Sequence, residues 1–141
     1  MILRPDYIKA IEPFIDSPLV KILAGVRRSG KSTILEMLIE ELKNRGISAD
    51  SIIERKYNTP DYDVFTTKNM FDDLKNAIKN KGRCYLFLDE IQEINGWEKA
   101  INTLMEDFDV DIYITGSNSK LMSSEISTYL TGRYVLIPVY T

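Results

Sequence analysis

The chain contains no histidine. That absence removes Ser-His-Asp and Cys-His catalysis and nearly every zinc site, since these need an imidazole as base or ligand. Cysteine is almost as scarce. Cys84 is the only one, so no internal disulfide forms, and its setting in "CYLFL" predicts a small buried residue in a strand and not a reactive thiol. Any chemistry must rest on carboxylates, lysine, arginine, hydroxyls and backbone amides. Long apolar runs are missing as well: "YLFL" and "IYI" fall far short of the ~20 residues that cross a bilayer, so no membrane span is expected. The opening "MILRPDYIKA" carries Arg, Pro and Asp within its first six residues, which leaves no signal-peptide apolar segment and makes the cytoplasm the expected location. Nor is there an excess of positive charge. Lys and Arg number 18 against 21 Asp and Glu, a net charge of -3, so nothing broad points to nucleic acid and only a local patch is left open for it. No internal repeat, low-complexity tract or Pro/Gly/Ser linker divides the chain.

What is present has ordinary globular proportions, 44% hydrophobic and 28% charged, and residues 1–141 read as one domain. At that size a single core buries about two-thirds of the surface of the unfolded chain. Leu19 to Ala24, "LVKILA", is a short apolar run ending at Gly25, the form of a strand buried on both faces. Behind it Ile34, Leu35, Leu38, Ile39 and Leu42 recur at helical spacing, acids precede Lys43 and Arg45, and Gly46 supplies a stop. The alternation then repeats. Residues 51–58 read as a strand; Phe71, Leu74 and Ile78 as a helix; 84–90 as a strongly apolar strand; Trp97, Ile101, Leu104 and Met105 as a helix with Trp97 in the core; 111–117 as a strand; Leu121 to Leu130 as helical; and 134–140 as a last strand. An amino-terminal helix is expected to start at Pro5 and end at Pro13. The expectation is an α/β fold of three layers: a parallel sheet of about five strands with helices on both faces.

The stretch joining the first strand to its helix is "GVRRSGKST". Gly25 to Ser32 fits G-x-x-x-x-G-K-[ST], a loop whose backbone N–H groups wrap the phosphates of a nucleotide, which makes the fold a P-loop NTPase. Gly25 and Gly30 permit positive φ and close backbone approach, while Val26, Arg27, Arg28 and Ser29 lend their backbone to the cradle. The helix that follows offers unpaired N–H groups and the positive end of its dipole. Lys31 would bridge the β- and γ-phosphates, Ser32 would coordinate Mg²⁺, and Thr33 adds a hydroxyl near the α-phosphate. Arg27 and Arg28 either touch phosphate or sit solvated at the loop rim, the rim being the first reading. Asp89 ends a buried strand in "YLFLDE", at the sheet edge where ligands sit in open α/β folds, and would hold Mg²⁺. Glu90, one residue on, can orient an attacking water. Ser117 and Asn118, closing "DIYITGSN", can hydrogen-bond a γ-phosphate or form a turn cap. Arg133, after Gly132, is either a surface arginine or a reach toward a γ-phosphate in its own or an adjacent subunit. Gln92 and Glu93 read equally as a coupling to a partner and as solvated turn positions.

Together "GVRRSGKST", "LFLDEIQ", "ITGSNSKLMSSEISTYLTGRY" and "VLIPVY" resemble the prokaryotic AAA-type ATPases, in which a P-loop domain precedes a carboxyl-terminal domain of poorly known character. The match runs from about Tyr7 to the end. The resemblance implies a strand order in which the strand ending at Ser117 separates the P-loop strand from the acid-bearing strand. It also implies ATP as nucleotide, Lys31 and Ser32 as phosphate and metal contacts, Asp89 and Glu90 as the Walker B pair, Ser117 or Asn118 as the sensor, and Arg133 as a candidate arginine finger. The chain stops at Thr141 just after the last expected strand, so the helical lid and the carboxyl-terminal domain are expected in a longer protein from which this domain is drawn.

The function expected first is Mg²⁺-dependent ATP binding and hydrolysis driving a conformational change in those outer parts or in partners, with a homo-oligomer as one arrangement. The alternative is a slow-turnover ATP/ADP switch. A small-molecule kinase would share the loop, but an acid beside the metal acid suits water activation better. A GTPase fits less well: "DEIQ" lacks the glycine of D-x-x-G, and "NKGR" lacks the aspartate of N-K-x-D.

Overall fold

Five apolar runs form the strands of one sheet, β1 (Val20–Ala24), β2 (Ile52–Lys56), β3 (Cys84–Asp89), β4 (Val110–Gly116) and β5 (Tyr134–Pro138). A computed structural model describes residues 4–26, 28–122 and 126–140. The strand order is β2-β3-β4-β1-β5, and every neighbouring pair is parallel. The strand leading to Ser117 thus lies between the P-loop strand and the acid-bearing strand, as expected. Because successive side chains of a strand face opposite ways, each run feeds two cores. Ile22, Leu86, Leu88, Ile112 and Ile114 pack beneath α3 (Thr67–Ile78) and α4 (Trp97–Asp107), where Cys84 and Trp97 are also buried. Leu23, Phe87 and Tyr113 face α1 (Arg4–Ile11) and α2 (Lys31–Asn44), which contribute Tyr7, Ile11, Ile34, Leu35, Leu38 and Leu42. The rings of Phe87 and Tyr113 stack at 4.6 Å on that face. Covered on both sides, β1 and β3 are buried throughout, whereas β2 at the edge mixes buried and exposed residues. The three-layer P-loop NTPase architecture is as expected.

The boundaries differ in places. The first helix begins at Arg4 and ends at Ile11, and the chain passes into a 3-10 turn, Glu12–Phe14, that includes Pro13. Proline's fixed φ suits the first positions of such a turn, so it reshapes the helix end without stopping the chain dead. Within Leu121 to Leu130 the structure has the end of α5 (Asn118–Met122) and α6 (Ile126–Tyr129); residues 123–125 lie outside the described residues. Among the described residues no helix is long and apolar enough to cross a membrane.

The amino-terminal edge of the sheet carries a buried polar knot. Lys21 and Asp111, on neighbouring strands and with fully buried side chains, form an ion pair. The Tyr113 hydroxyl donates to Asp111 at 2.6 Å, and so does the Asp16 backbone N–H at 3.0 Å. Burial holds the Lys21 ammonium below its ordinary pKa, with the Asp111 carboxylate pulling the other way. This knot fastens the segment before β1 under the sheet, opposite the edge where the loop lies.

Candidate functional site

At the carboxyl edge β1 runs into the loop 25–30 and then α2. A Cβ on Gly25 would stand 2.5 Å from the Val139 carbonyl oxygen and 2.9 Å from Ser29 Oγ, so only glycine fits. Gly30, at the amino end of α2, has φ 95°, the left-handed region glycine tolerates. Both glycines of the pattern are thus demanded by the backbone. The loop base is braced on two sides, Gly25 N–H donating to the Gly116 carbonyl at 3.2 Å and Val139 N–H to the Ala24 carbonyl at 2.7 Å. The N-cap residue of α2 is Gly30, which has no side chain to cap it, so the helix's first N–H groups and positive dipole end face the cleft. Lys31 is 4% exposed and donates from Nζ to the carbonyl oxygens of Gly25 at 2.8 Å and Val26 at 3.0 Å.

The acids converge on the same place. Ser32 Oγ donates to Asp89 Oδ2 at 2.6 Å, joining the start of α2 to the end of β3. The other Asp89 oxygen accepts the hydroxyl proton of Thr115 on β4, and Thr115 Oγ1 in turn accepts the Glu90 backbone N–H at 2.8 Å. Glu90 has φ 54°, an uncommon left-handed backbone for a non-glycine residue, of the kind that persists at functional sites where surroundings over-determine it. Its Oε1 lies 3.6 Å from Lys31 Nζ, and its Oε2 accepts from Gln92 Nε2 at 2.9 Å. The resulting cleft holds about 480 Å³ and is lined by Gly30, Lys31, Ser32, Glu90, Gln92 and Ser117. Lys120 and Glu93, also in the lining, pair at 3.3 Å.

Of the residues expected at the site, Arg28, Ser29, Gly30, Lys31, Ser32, Glu90 and Ser117 line this cleft, Asp89 sits beneath it, and Gly25 forms the loop base. Arg28 is exposed there with φ 63°, a rim position. Arg27 lies outside the described residues. Four others, Val26, Asn118, Thr33 and Arg133, do not line the cleft. Val26 is 59% exposed and Asn118, opening α5, is exposed; neither lines the cleft. Thr33 points into a shallow groove beside α1, because one further residue along a helix turns the side chain by about 100°. Arg133 is the plain correction. Its carbonyl accepts the Val20 N–H at 2.9 Å at the start of β1, and its guanidinium reaches Asn102 on α4 and Glu106 at 3.6 Å. Since β5 runs parallel to β1, the residue before it falls at the amino-terminal edge, a strand's length from the loop, and does not reach its own subunit's cleft.

Two residues that pattern reasoning did not place at the site bear directly on Glu90, while Asn58, Glu93 and Lys120, likewise not placed there, line the cleft. Thr115 links Asp89 to Glu90, and its only signal was a hydroxyl inside the apolar "IYITG". Gln92, left between a partner contact and a solvated turn position, instead bonds Glu90 within the cleft. Among the described residues no group of three or more Cys, Asp or Glu side chains forms a metal cage.

A glycine-framed loop between the first strand and its helix, a buried acid ending a strand two places away, and the strand between them define a three-layer P-loop NTPase domain. Residues 17–141 match the AAA domain family, and the chain belongs to it. It is 37% identical over 142 residues to an uncharacterized protein of Haemophilus influenzae, covering 99% of this chain and 36% of that protein. The chain therefore spans about a third of that relative's length. Among solved structures, a DNA polymerase III gamma subunit-related protein from Thermotoga maritima superposes with a TM-score of 0.62 at 12% identity, over 99% of this chain and 46% of that one. AMPPCP-bound DnaA from Aquifex aeolicus gives 0.58 at 16% identity, over 99% and 48%. At such identities these two speak to the fold alone.

Proposed function

We propose that this chain binds ATP and hydrolyses it with Mg²⁺, the cycle driving a conformational change in a carboxyl-terminal region or partner beyond these residues. The observation that carries the reading is the junction of Ser32 Oγ with Asp89 Oδ2 at 2.6 Å, with Glu90 held beside Lys31. The AMPPCP carried by the structurally similar DnaA supports a triphosphate nucleotide.

A hydroxyl and a carboxylate already in contact form an all-oxygen donor set, which fits Mg²⁺, a hard cation that keeps most of its waters. Ser32 and Asp89 would hold the ion, and when bound it neutralises charge spread over the phosphate oxygens. The protein's own groups do the rest. Loop N–H groups and the α2 terminus receive phosphate oxygens, and Lys31 exchanges the carbonyls of Gly25 and Val26 for the β- and γ-phosphates. Glu90 Oε1, released from Lys31, accepts a proton of the attacking water and aims its lone pair at the γ-phosphorus. The new P–O bond forms as the bond to the bridging oxygen breaks, ADP leaves with that electron pair, and the water's proton passes to Glu90. Ser117, also lining the cleft, hydrogen-bonds the γ-phosphate. A second reading, an ATP/ADP switch with little turnover, is favoured by the same Glu90 contacts, which tie its carboxylate to Lys31 and Gln92.

The test is a pair of substitutions. Glu90→Gln is expected to keep ATP affinity and to lower hydrolysis by on the order of 10²-fold or more, whereas Lys31→Ala weakens binding itself. Equal hydrolysis by Glu90→Gln and the parent ends the ATPase reading, and rapid single-turnover hydrolysis without a partner removes the switch.

A further inference from the structure

We propose that Gln92 is a positioning residue for hydrolysis: its amide holds one oxygen of the Glu90 carboxylate so that the other faces the cleft. The proposal rests on the ATPase reading above. The Glu90 backbone is already pinned, with φ 54° and its N–H bonded to Thr115 Oγ1 at 2.8 Å. Its side chain still has three rotatable bonds. Among the described residues two contacts restrain the carboxylate, Lys31 Nζ at 3.6 Å from Oε1 and Gln92 Nε2 at 2.9 Å from Oε2. Phosphate takes the first away, because Lys31 is the loop's own cation. Gln92 then remains.

The way Gln92 is seated says that it serves more than packing. A carboxylate only accepts hydrogen bonds, so the NH₂ end of the amide must face Glu90 and the carbonyl end must face away. That carbonyl, Oε1, is buried and has no hydrogen-bond partner among the described residues. It packs against Gly116 so closely that a Cβ there would stand 2.5 Å from it. Two unfavourable features meet at this point. A buried acceptor without a donor carries a desolvation penalty, and a glycine within a strand gives up chain entropy and side-chain packing. A methionine or leucine at residue 92 would fill the space without the first penalty. An amide kept in this position is explained by what its other end does to Glu90.

The experiment compares the parent with Gln92→Met, Gln92→Glu, Glu90→Gln and the double variant Glu90→Gln/Gln92→Met, measuring ATP affinity by calorimetry, hydrolysis by single turnover, and thermal melting. Gln92→Met, close in length but without a donor, is expected to slow hydrolysis about tenfold or more while MgATP affinity stays within about twofold. Gln92→Glu, which sets a like charge against Glu90, should lose at least as much. Since Gln92 acts through Glu90, adding Gln92→Met to Glu90→Gln should leave the residual rate unchanged. Melting at the parent's temperature or above shows that the loss is not unfolding. A Gln92→Met protein that hydrolyses within about twofold of a working parent overturns the proposal and leaves the ATPase reading standing. An equal fractional loss in both backgrounds also overturns it, since that marks a merely structural role. A parent that binds MgATP but shows no single-turnover hydrolysis brings down the ATPase reading, and this proposal with it.

Discussion

At Gly25 a single methyl group decides whether the loop can form. An alanine there would place its Cβ 2.5 Å from the Val139 carbonyl oxygen, which belongs to a segment tied to Ala24 by a 2.7 Å hydrogen bond and cannot swing aside alone. Gly25→Ala is expected to remain folded but to lose MgATP affinity by about tenfold or more, read by calorimetry, as backbone misplacement spoils the N–H cradle. Lys21 and Asp111 make the matching point about stability. Both side chains are fully buried, so removing one partner strands the other charge. Lys21→Met or Asp111→Asn alone should cost about 3–5 kcal/mol in urea unfolding, and Lys21→Met/Asp111→Leu distinctly less than the sum. At this scale the sequence was legible where a residue's type suffices. That the glycines, Lys31, Ser32, Asp89 and Glu90 come together at one edge could be expected, because a loop between strand and helix and an acid ending a strand follow from residue type and spacing. Thr115 and Gln92 could not, because each gains its role from a partner on another element or turn.

Elements followed the same divide. The apolar stripe of α2 emerges as Ile34, Leu35, Leu38, Ile39 and Leu42, all buried, since helical period alone fixes which residues share a face. Boundaries were less legible because they depend on caps and turns. The α3 start is an instance: Thr66 accepts from the Asn69 N–H, and the Asn69 side chain returns the bond to the Thr66 N–H. This is a capping box with asparagine in place of the usual Glu or Gln. Thr66→Ala should lower stability by about 1 kcal/mol in chemical denaturation without touching nucleotide affinity, since α3 packs on the sheet face opposite α2, the helix that follows the loop. A loss of affinity as large as that of Gly25→Ala would show that the two faces are coupled.

For the whole molecule, the loop, β3 and β4 come together only in the folded sheet, so a nucleotide held there binds the native state and not the unfolded chain. MgATP at about 100 times its dissociation constant should add about 2.7 kcal/mol, a rise of several degrees in melting temperature. EDTA should remove part of that rise, because Ser32 and Asp89 would then face the phosphates without the cation between them. No shift with MgATP at millimolar concentration would count against binding altogether.

The sequence by itself determined what is local: the alternation of strand and helix, the faces they bury, and the loop chemistry of Gly25 to Ser32. These follow from periods of two and 3.6 residues and from the conformational freedom of glycine, which act over a few neighbours. Only the tertiary structure decided that Arg133 falls at the edge opposite the loop, that Thr115 bridges Asp89 and Glu90, and that Gln92 turns its amide toward Glu90 against Gly116. Those outcomes depend on strand order, direction and close packing between residues remote along the chain. Such contacts exist only once the β2-β3-β4-β1-β5 sheet has closed over both cores.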